Sequence, residues 1–236
     1  MNVRDFLRTG IAACLVVLCG CAANGEERDP RDPFEGFNRG VYRFNEGFDD
    51  YVAKPVARGY VAAVHREIRG RVSNFFSNIG DLLIGINNFL QFKIEDGVND
   101  WARFAFNSTF GLLGIHDVAS EWGLEKHNED FGQTFGRWGA PPGPYLILPF
   151  LGSSTVRDTA GTALDWTFAP LTEVRPIDLR NTLYGLYLVN TRADLLDASQ
   201  LLQEAALDRY VFQRDAYLQR RRSLIYDGSP PREKLE

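Results

Sequence analysis

The sequence predicts an all-α fold, a single domain built from amphipathic helices. Three observations carry that prediction. Apolar residues recur at spacings of three and four over most of the chain, the polar stretch 116–136 sustains no strand alternation, and no repeat, low-complexity segment or composition break divides the 236 residues. At 44% hydrophobic and 24% charged, a chain of this length can bury a real core. A net charge of −5 and the lack of any dense Lys/Arg block outside Arg220–Arg222 argue against a nucleic-acid partner.

Residues 1–20 read as a signal peptide: Arg4 and Arg8 precede an apolar run from Ile11 to Cys19, too short to span a bilayer. Leu18-Cys19-Gly20-Cys21 looks like a bacterial lipobox, which makes Cys21 the expected lipid attachment site. Cys14 is a rival match with almost no apolar stretch before it, and a simple signal peptide cut nearby is the bland alternative. Ala22, where an Asp would resemble an inner-membrane retention signal, points to outer-membrane sorting. All three cysteines lie within residues 1–21, so the exported chain cannot form an internal disulfide and must hold itself together by packing. Removal of residues 1–20 takes the net charge to −6, so charge cannot hold the protein on an anionic leaflet, whereas acyl chains can.

Residues 21–33 read as a lipidated tether, with ordered structure expected from about Asp32. From there Phe34, Phe37, Val41, Phe44, Phe48 and Tyr51 form an aromatic stripe on one helix face. It is either a core face or, given the upstream anchor, a face embedded in the membrane. Pro55 should interrupt or kink this helix, and Lys54 is biased away from helical geometry. Val72 to Phe92, with Asp81 its only charge, fits one or two buried helices broken near Gly80 or Gly85. Asp96 to Leu113 follows as a helix ended by Gly111 and Gly114, and residues 116–136 read as loop.

Trp138 to Val156 is an uncharged window of 19 residues whose prolines and glycines forbid a spanning helix, so it must be buried in the protein or line an opening. Gly132, Gly136, Gly139 and Gly143 suit either close backbone approach or loop flexibility. Helices are expected over Arg157–Ala169, Asn181–Leu196 and Asp208–Ile225, with a loop over Pro170–Asp178. Arg220–Arg222 should be a solvated helix end. The domain spans 34–226, and 227–236 is a flexible tail.

Chemistry is sparse. His65, His116 and His127 lack zinc-site spacing, and phosphate-loop, dinucleotide and G-x-S-x-G patterns are missing, so no catalytic residue, metal or cofactor is expected. A membrane-bound lipase would need His116 or His127 as base and Ser153 or Ser154 as nucleophile.

Several ordered blocks resemble the VacJ/MlaA lipoprotein family: Asp32-Pro33-Phe34-Glu35-Gly36-Phe37-Asn38-Arg39, Phe44-Asn45, Ser73-Asn74-Phe75, Asn88-Phe89-Leu90-Gln91, Arg103-Phe104, Asn107-Ser108-Thr109, Gly114 to Ala119, Gly143-Pro144-Tyr145 and Leu148-Pro149-Phe150. The resemblance implies a helical ring embedded in one leaflet, on the periplasmic face of the outer membrane. It also implies an amphipathic passage for mislocalised phospholipids, a soluble periplasmic carrier (MlaC-like) and a trimeric porin as partners. Pro144, Tyr145 and Pro149 are then candidates to frame the passage. A lipoprotein that only scaffolds the envelope is the alternative. Exposing a two-chain lipid's roughly 28–30 methylenes to water would cost on the order of 20 kcal/mol, so a passive path must keep the tails dry.

Overall fold

The computed structural model describes residues 29–205 and 207–232 of the chain. The order is helix α1 (Glu35–Phe48), a π-helical turn (Asp49–Ala53), α2 (Lys54–Ala63), α3 (Arg66–Leu90), α4 (Ile94–Thr109), α5 (Val118–Glu121) and α6 (Phe131–Arg137). Strands β1 (Tyr145–Leu148) and β2 (Gly152–Thr155) follow, then α7 (Val156–Phe168), a 3₁₀ turn (Pro170–Glu173), α8 (Ile177–Asp194), α9 (Leu196–Ala205) and α10 (Arg209–Ile225). The fold is helical as expected, apart from one small antiparallel hairpin that pairs Tyr145 with Thr155 and Leu148 with Gly152.

Local chemistry explains most element ends. Asp117, Asp130, Thr155 and Asp208 each accept a hydrogen bond from the first turn of α5, α6, α7 and α10, so four short polar side chains satisfy helix-start donors. Of these helices, α5 and all but the last residue of α6 lie inside 116–136, where the sequence predicts loop. Pro55 does not break the chain's helical course, and Lys54 is helical (φ −65°, ψ −46°). The π turn relieves the conflict: Lys54 N–H reaches back to Asp49 O, five residues away, and widens the helix where the proline ring would meet the preceding turn. Nor is α3 broken at Gly80 or Gly85. It runs unbroken for 25 residues, and Gly85 is instead a contact point, where an added Cβ would lie 2.7 Å from Trp101 Nε1.

The principal packing contacts close a circuit. Helix α1 leads through the π turn to α2, α2 packs on α8, α8 on α3, α3 on α6, α6 on α10, α10 on β2, and β1 returns to α1. Helix α4 packs alongside α3, and α7 lies against α6 and β2. At the α6–α7 crossing the backbones nearly touch, since a Cβ on Gly161 would sit 2.6 Å from Gly132 Cα. The four-glycine series thus divides by role. Gly132 and Gly136 have no room for a side chain, whereas Gly139 (φ 92°) and Gly143 (φ 67°) take left-handed turns.

Candidate functional site

Helix α1 shows how the interior is made. Its inward residue is Asn38, fully buried, which accepts from Ile147 N–H (2.9 Å) and donates to Tyr145 O (3.0 Å) and Asp32 (2.8 Å). Two turns on, Asn45 repeats the grip, donating to Leu148 O (3.0 Å) and accepting from Phe150 N–H (2.8 Å). The two amides, seven residues apart, therefore clamp β1 as a neighbouring strand would. The stripe residues point the other way: Phe37, Phe44, Phe48 and Tyr51 are 46%, 50%, 39% and 87% exposed. Phe34 is half-buried, and Val41 packs against the small cluster of Tyr145, Ile147 and Tyr210.

The same inversion recurs around the circuit. The inward face of α3 carries Asn78, Asp81, Asn87 and Asn88 beside Phe76, not the uniformly apolar core expected of Val72–Phe92. That of α4 carries Gly97, Asp100, Arg103 and Asn107. These groups bind one another. Arg103 donates to both oxygens of Asp117 (3.0 Å each), Asn107 donates to Asp117 (2.9 Å), and Asn88 donates to Asp100 (2.7 Å), whose other oxygen meets His127 Nδ1 (2.9 Å). Thr134 of α6 donates to Asn87 (2.7 Å), while Ser73 and Asn190 tie α3 to α8 at 2.7 Å. In a dry interior such groups are tolerable only when paired. Conversely, Phe92, Ile94, Val98, Trp101, Phe110, Leu112, Leu113, Trp122, Phe150, Trp166 and Phe168 are exposed. Among the described residues no helix is long and apolar enough to cross a membrane.

The chain's first described residues belong to the fold. Asp32, placed by composition in the tether, is fully buried and accepts from the Tyr210 hydroxyl and from Asn38, while Arg214 pairs with Asp29 at 3.0 Å. The hydrogen bond from Arg31 holds the Asp29 carboxyl down at about 2. The expected signal peptide 1–20, Cys21 and the tether up to residue 28, and residues 233–236 lie outside the described residues, but Asp227 of the expected tail accepts from Lys93 at 2.5 Å.

One cavity of about 780 Å³ lies between the 139–143 arch and α10. Pro141, Pro142 and Gly143 form one wall, Leu218, Ile225 and Tyr226 another, and Arg31, Arg157, Asp215, Arg221 and Arg222 also line it. Pro144, Tyr145 and Pro149 are not on its wall. Tyr145 is fully buried with its hydroxyl on Ser153 (2.9 Å), and Pro149 is exposed beside Phe150, so of the Pro/Gly segment residues 139–143 and Thr155 line this opening.

Arg221 is no solvated helix end. Its guanidinium bridges Asp130 (2.5 and 2.9 Å) and Asp158 (3.0 Å), which also accepts from Arg157 (2.8 Å) and from the Tyr217 hydroxyl (2.8 Å). Burial pushes the Asp158 carboxyl up, but the charge of Arg221 and the donated hydrogen bonds outweigh it and leave the group lowered. Asp165, nearby, has no such partner: burial pushes it up to about 6 despite a bond from Phe131 N–H, and Asp130 adds repulsion. A carboxyl that holds its proton more tightly when folded costs stability as pH rises. Resistance to urea should therefore fall between about pH 4 and 6, and Asp165→Asn should remove that fall and gain up to about 3 kcal/mol at pH 7. Urea melts of both proteins across that range read this directly, and parallel curves would refute it.

Neither serine proposed for a lipase has a histidine partner among its hydrogen bonds. Ser153 bonds Tyr145 and Gln213, Ser154 bonds Thr159 and Thr155 O, and His127 is held by Asp100. Among the described residues no group of three or more His, Cys, Asp or Glu is placed to hold a metal ion.

Comparison with known proteins gives one answer. The profile of the MlaA lipoprotein family matches residues 30–224. The intermembrane phospholipid transport system lipoproteins MlaA of Escherichia coli K12 and Shigella flexneri are 36% identical over 219 residues, covering 90% of this chain and 86% of each relative. That of Haemophilus influenzae is 29% identical over 244 residues, covering 97% and 93%. A solved structure reported as "Structural basis for maintenance of bacterial outer membrane lipid asymmetry" aligns with a TM-score of 0.73 at 33% identity, covering 84% of this chain and 100% of that one.

Proposed function

The chain belongs to the MlaA lipoprotein family, and from that membership we propose that it is the outer-membrane lipoprotein of an intermembrane phospholipid transport system. It withdraws mislocalised phospholipids from the outer leaflet and passes them to a soluble periplasmic carrier of the MlaC kind, alongside a trimeric porin. Cleavage after residue 20 leaves Cys21 to carry acyl chains, and three such chains make attachment permanent.

The observation that carries this reading is the inverted polarity. Each fully exposed large apolar side chain forgoes about 1.5–3 kcal/mol in water, and the cost is removed if the surroundings are acyl chains. The paired Asn, Asp and Arg residues, buried between the helices, then hold together a ring whose outside is lipid. The faces that meet lipid include Phe37, Phe44, Phe48 and Tyr51. The cavity beneath the 139–143 arch has apolar walls suited to glycerol and upper acyl chains, while Arg31, Arg157 and Arg221 around it are paired with carboxylates and give it a polar side. No nucleotide-binding motif is present in the sequence, so direction comes from the carrier or from an energised partner. The protein supplies a route and needs no chemistry.

Depletion is expected to raise phospholipid on the cell surface, and the unaltered chain should restore it. Ala140→Trp, which places an indole in the cavity mouth, should restore membrane association but not surface composition. Full rescue by that variant would favour a scaffold, and release of fatty acid or lysophospholipid by purified protein would establish a lipase instead.

A further inference from the structure

Among the described residues, those other than glycine held at positive φ are, apart from Asp227, all large and apolar: Phe92 (63°), Leu112 (54°), Leu113 (59°) and Phe150 (64°). Each is also strongly exposed, at 85%, 64%, 68% and 63%. Left-handed backbone costs an L side chain and is ordinarily given to glycine or asparagine, and here Leu112, Leu113 and Gly114 (87°) adopt it in succession. In water both choices are unfavourable, since a strained turn would hold out a greasy side chain.

The turn after α4 is rigid. Leu113 N–H bonds Ser108 O (3.1 Å), Gly114 N–H bonds Asn107 O (2.9 Å) and His116 N–H bonds Gly111 O (2.9 Å). The flanking glycines are wedged in, since a Cβ on Gly111 would lie 2.5 Å from Asn107 O and one on Gly114 2.6 Å from Asn78 Nδ2. The two leucines therefore stand outward on a fixed base. At the other end of α4, about 24 Å away along its 16 residues, Phe92 stands out likewise, and Ile94, Val98 and Trp101 line the exposed face between.

We propose that α4 lies flat in the lipid, with Leu112–Leu113 and Phe92 as fixed wedges inserted among acyl chains at its two ends. The occupant is lipid because exposed apolar side chains stand at both ends of α4 and along its first half while its inward face is polar, and because Cys21, only eight residues before Asp29, would hold the domain within about 28 Å of a bilayer. This rests on the membrane-embedded reading above and specifies where contact is made.

The test uses the chain from residue 21 with Cys21→Ala, so that no acyl group contributes, and vesicles of phosphatidylethanolamine and phosphatidylglycerol. Leu112→Asn/Leu113→Asn should bind about tenfold more weakly or worse, because asparagine keeps the turn and loses the apolar surface. Its melting temperature in detergent should be unchanged or higher, and Leu112→Phe/Leu113→Phe should bind as well as the parent. If the parent binds and the asparagine variant binds within twofold of it, the wedge proposal alone fails. A melting temperature that drops together with binding would mark these leucines as structural and overturn it too. A parent that does not bind at all would remove the embedded reading and the wedges together.

Discussion

Arg221→Met is expected to lower stability by about 3–5 kcal/mol, the range for breaking a buried ion pair from one side. The guanidinium sits between two carboxylates from different elements, Asp130 at the start of α6 and Asp158 in the first turn of α7. Exposure decides which contact matters. The Asp158 side chain is 5% exposed and that of Asp130 34%, so the pair with Asp158 escapes solvent screening while the other is partly screened. Removing the cation also leaves Asp165 facing a less-compensated Asp130, and at the α6–α7 crossing the backbones cannot move apart without losing the Gly132–Gly161 contact. Urea unfolding in mild detergent at pH 7 measures the loss. Adding Asp158→Asn should recover part of it, because the uncompensated charge is then gone. A loss under about 1 kcal/mol would mean that this junction behaves as surface.

The second large effect is on the outside. Phe37→Asp, Phe44→Asp and Phe48→Asp together should abolish vesicle binding by the non-acylated chain, since a carboxylate in the apolar layer costs about 2.5–3.5 kcal/mol at its centre and less towards its edge. Phe37 is the cleanest of the three. Phe44 and Phe48 also meet the Phe150 ring edge-on at 5.2 and 5.0 Å, so their replacement loosens the hairpin tip as well. With the lipid anchor intact, the triple variant should still fractionate with membranes yet leave phospholipid on the cell surface. Normal surface composition in all three single variants would count against the stripe as a lipid-facing surface.

Much of this was legible in the sequence because it depends on near neighbours. Periodicity at three and four marks a helix wherever it occurs, so α1, α4, α7, α8 and α10 were visible. The missed α5 and α6 are short, and their signal was the capping Asp117 and Asp130. The 25 residues of α3 were read as interruptible because glycine weakens a helix in isolation. At Gly85 the opposing Trp101 needs the space, which no local rule reveals. The polar interior did leave a trace in Asp81, the one charge of Val72–Phe92, and in the asparagines of the family blocks: Asn38, Asn45, Asn88 and Asn107. Aromatic neighbours drew the reading instead.

By itself the sequence determined the helical class, the family and the existence of two-faced helices, since each depends on residues close together in the chain. Only the tertiary structure decided which face turns inward, because an amphipathic pattern is symmetric until the surroundings are known and burial of Asn38, Asp81 and Arg103 reverses the usual sense. It alone brought Arg221 to Asp130 and Asp158, 91 and 63 residues away, and Asn38 to a strand 109 residues on. Pairings at such separations leave no periodic signal, for the chain between them can take any length that lets the ends meet.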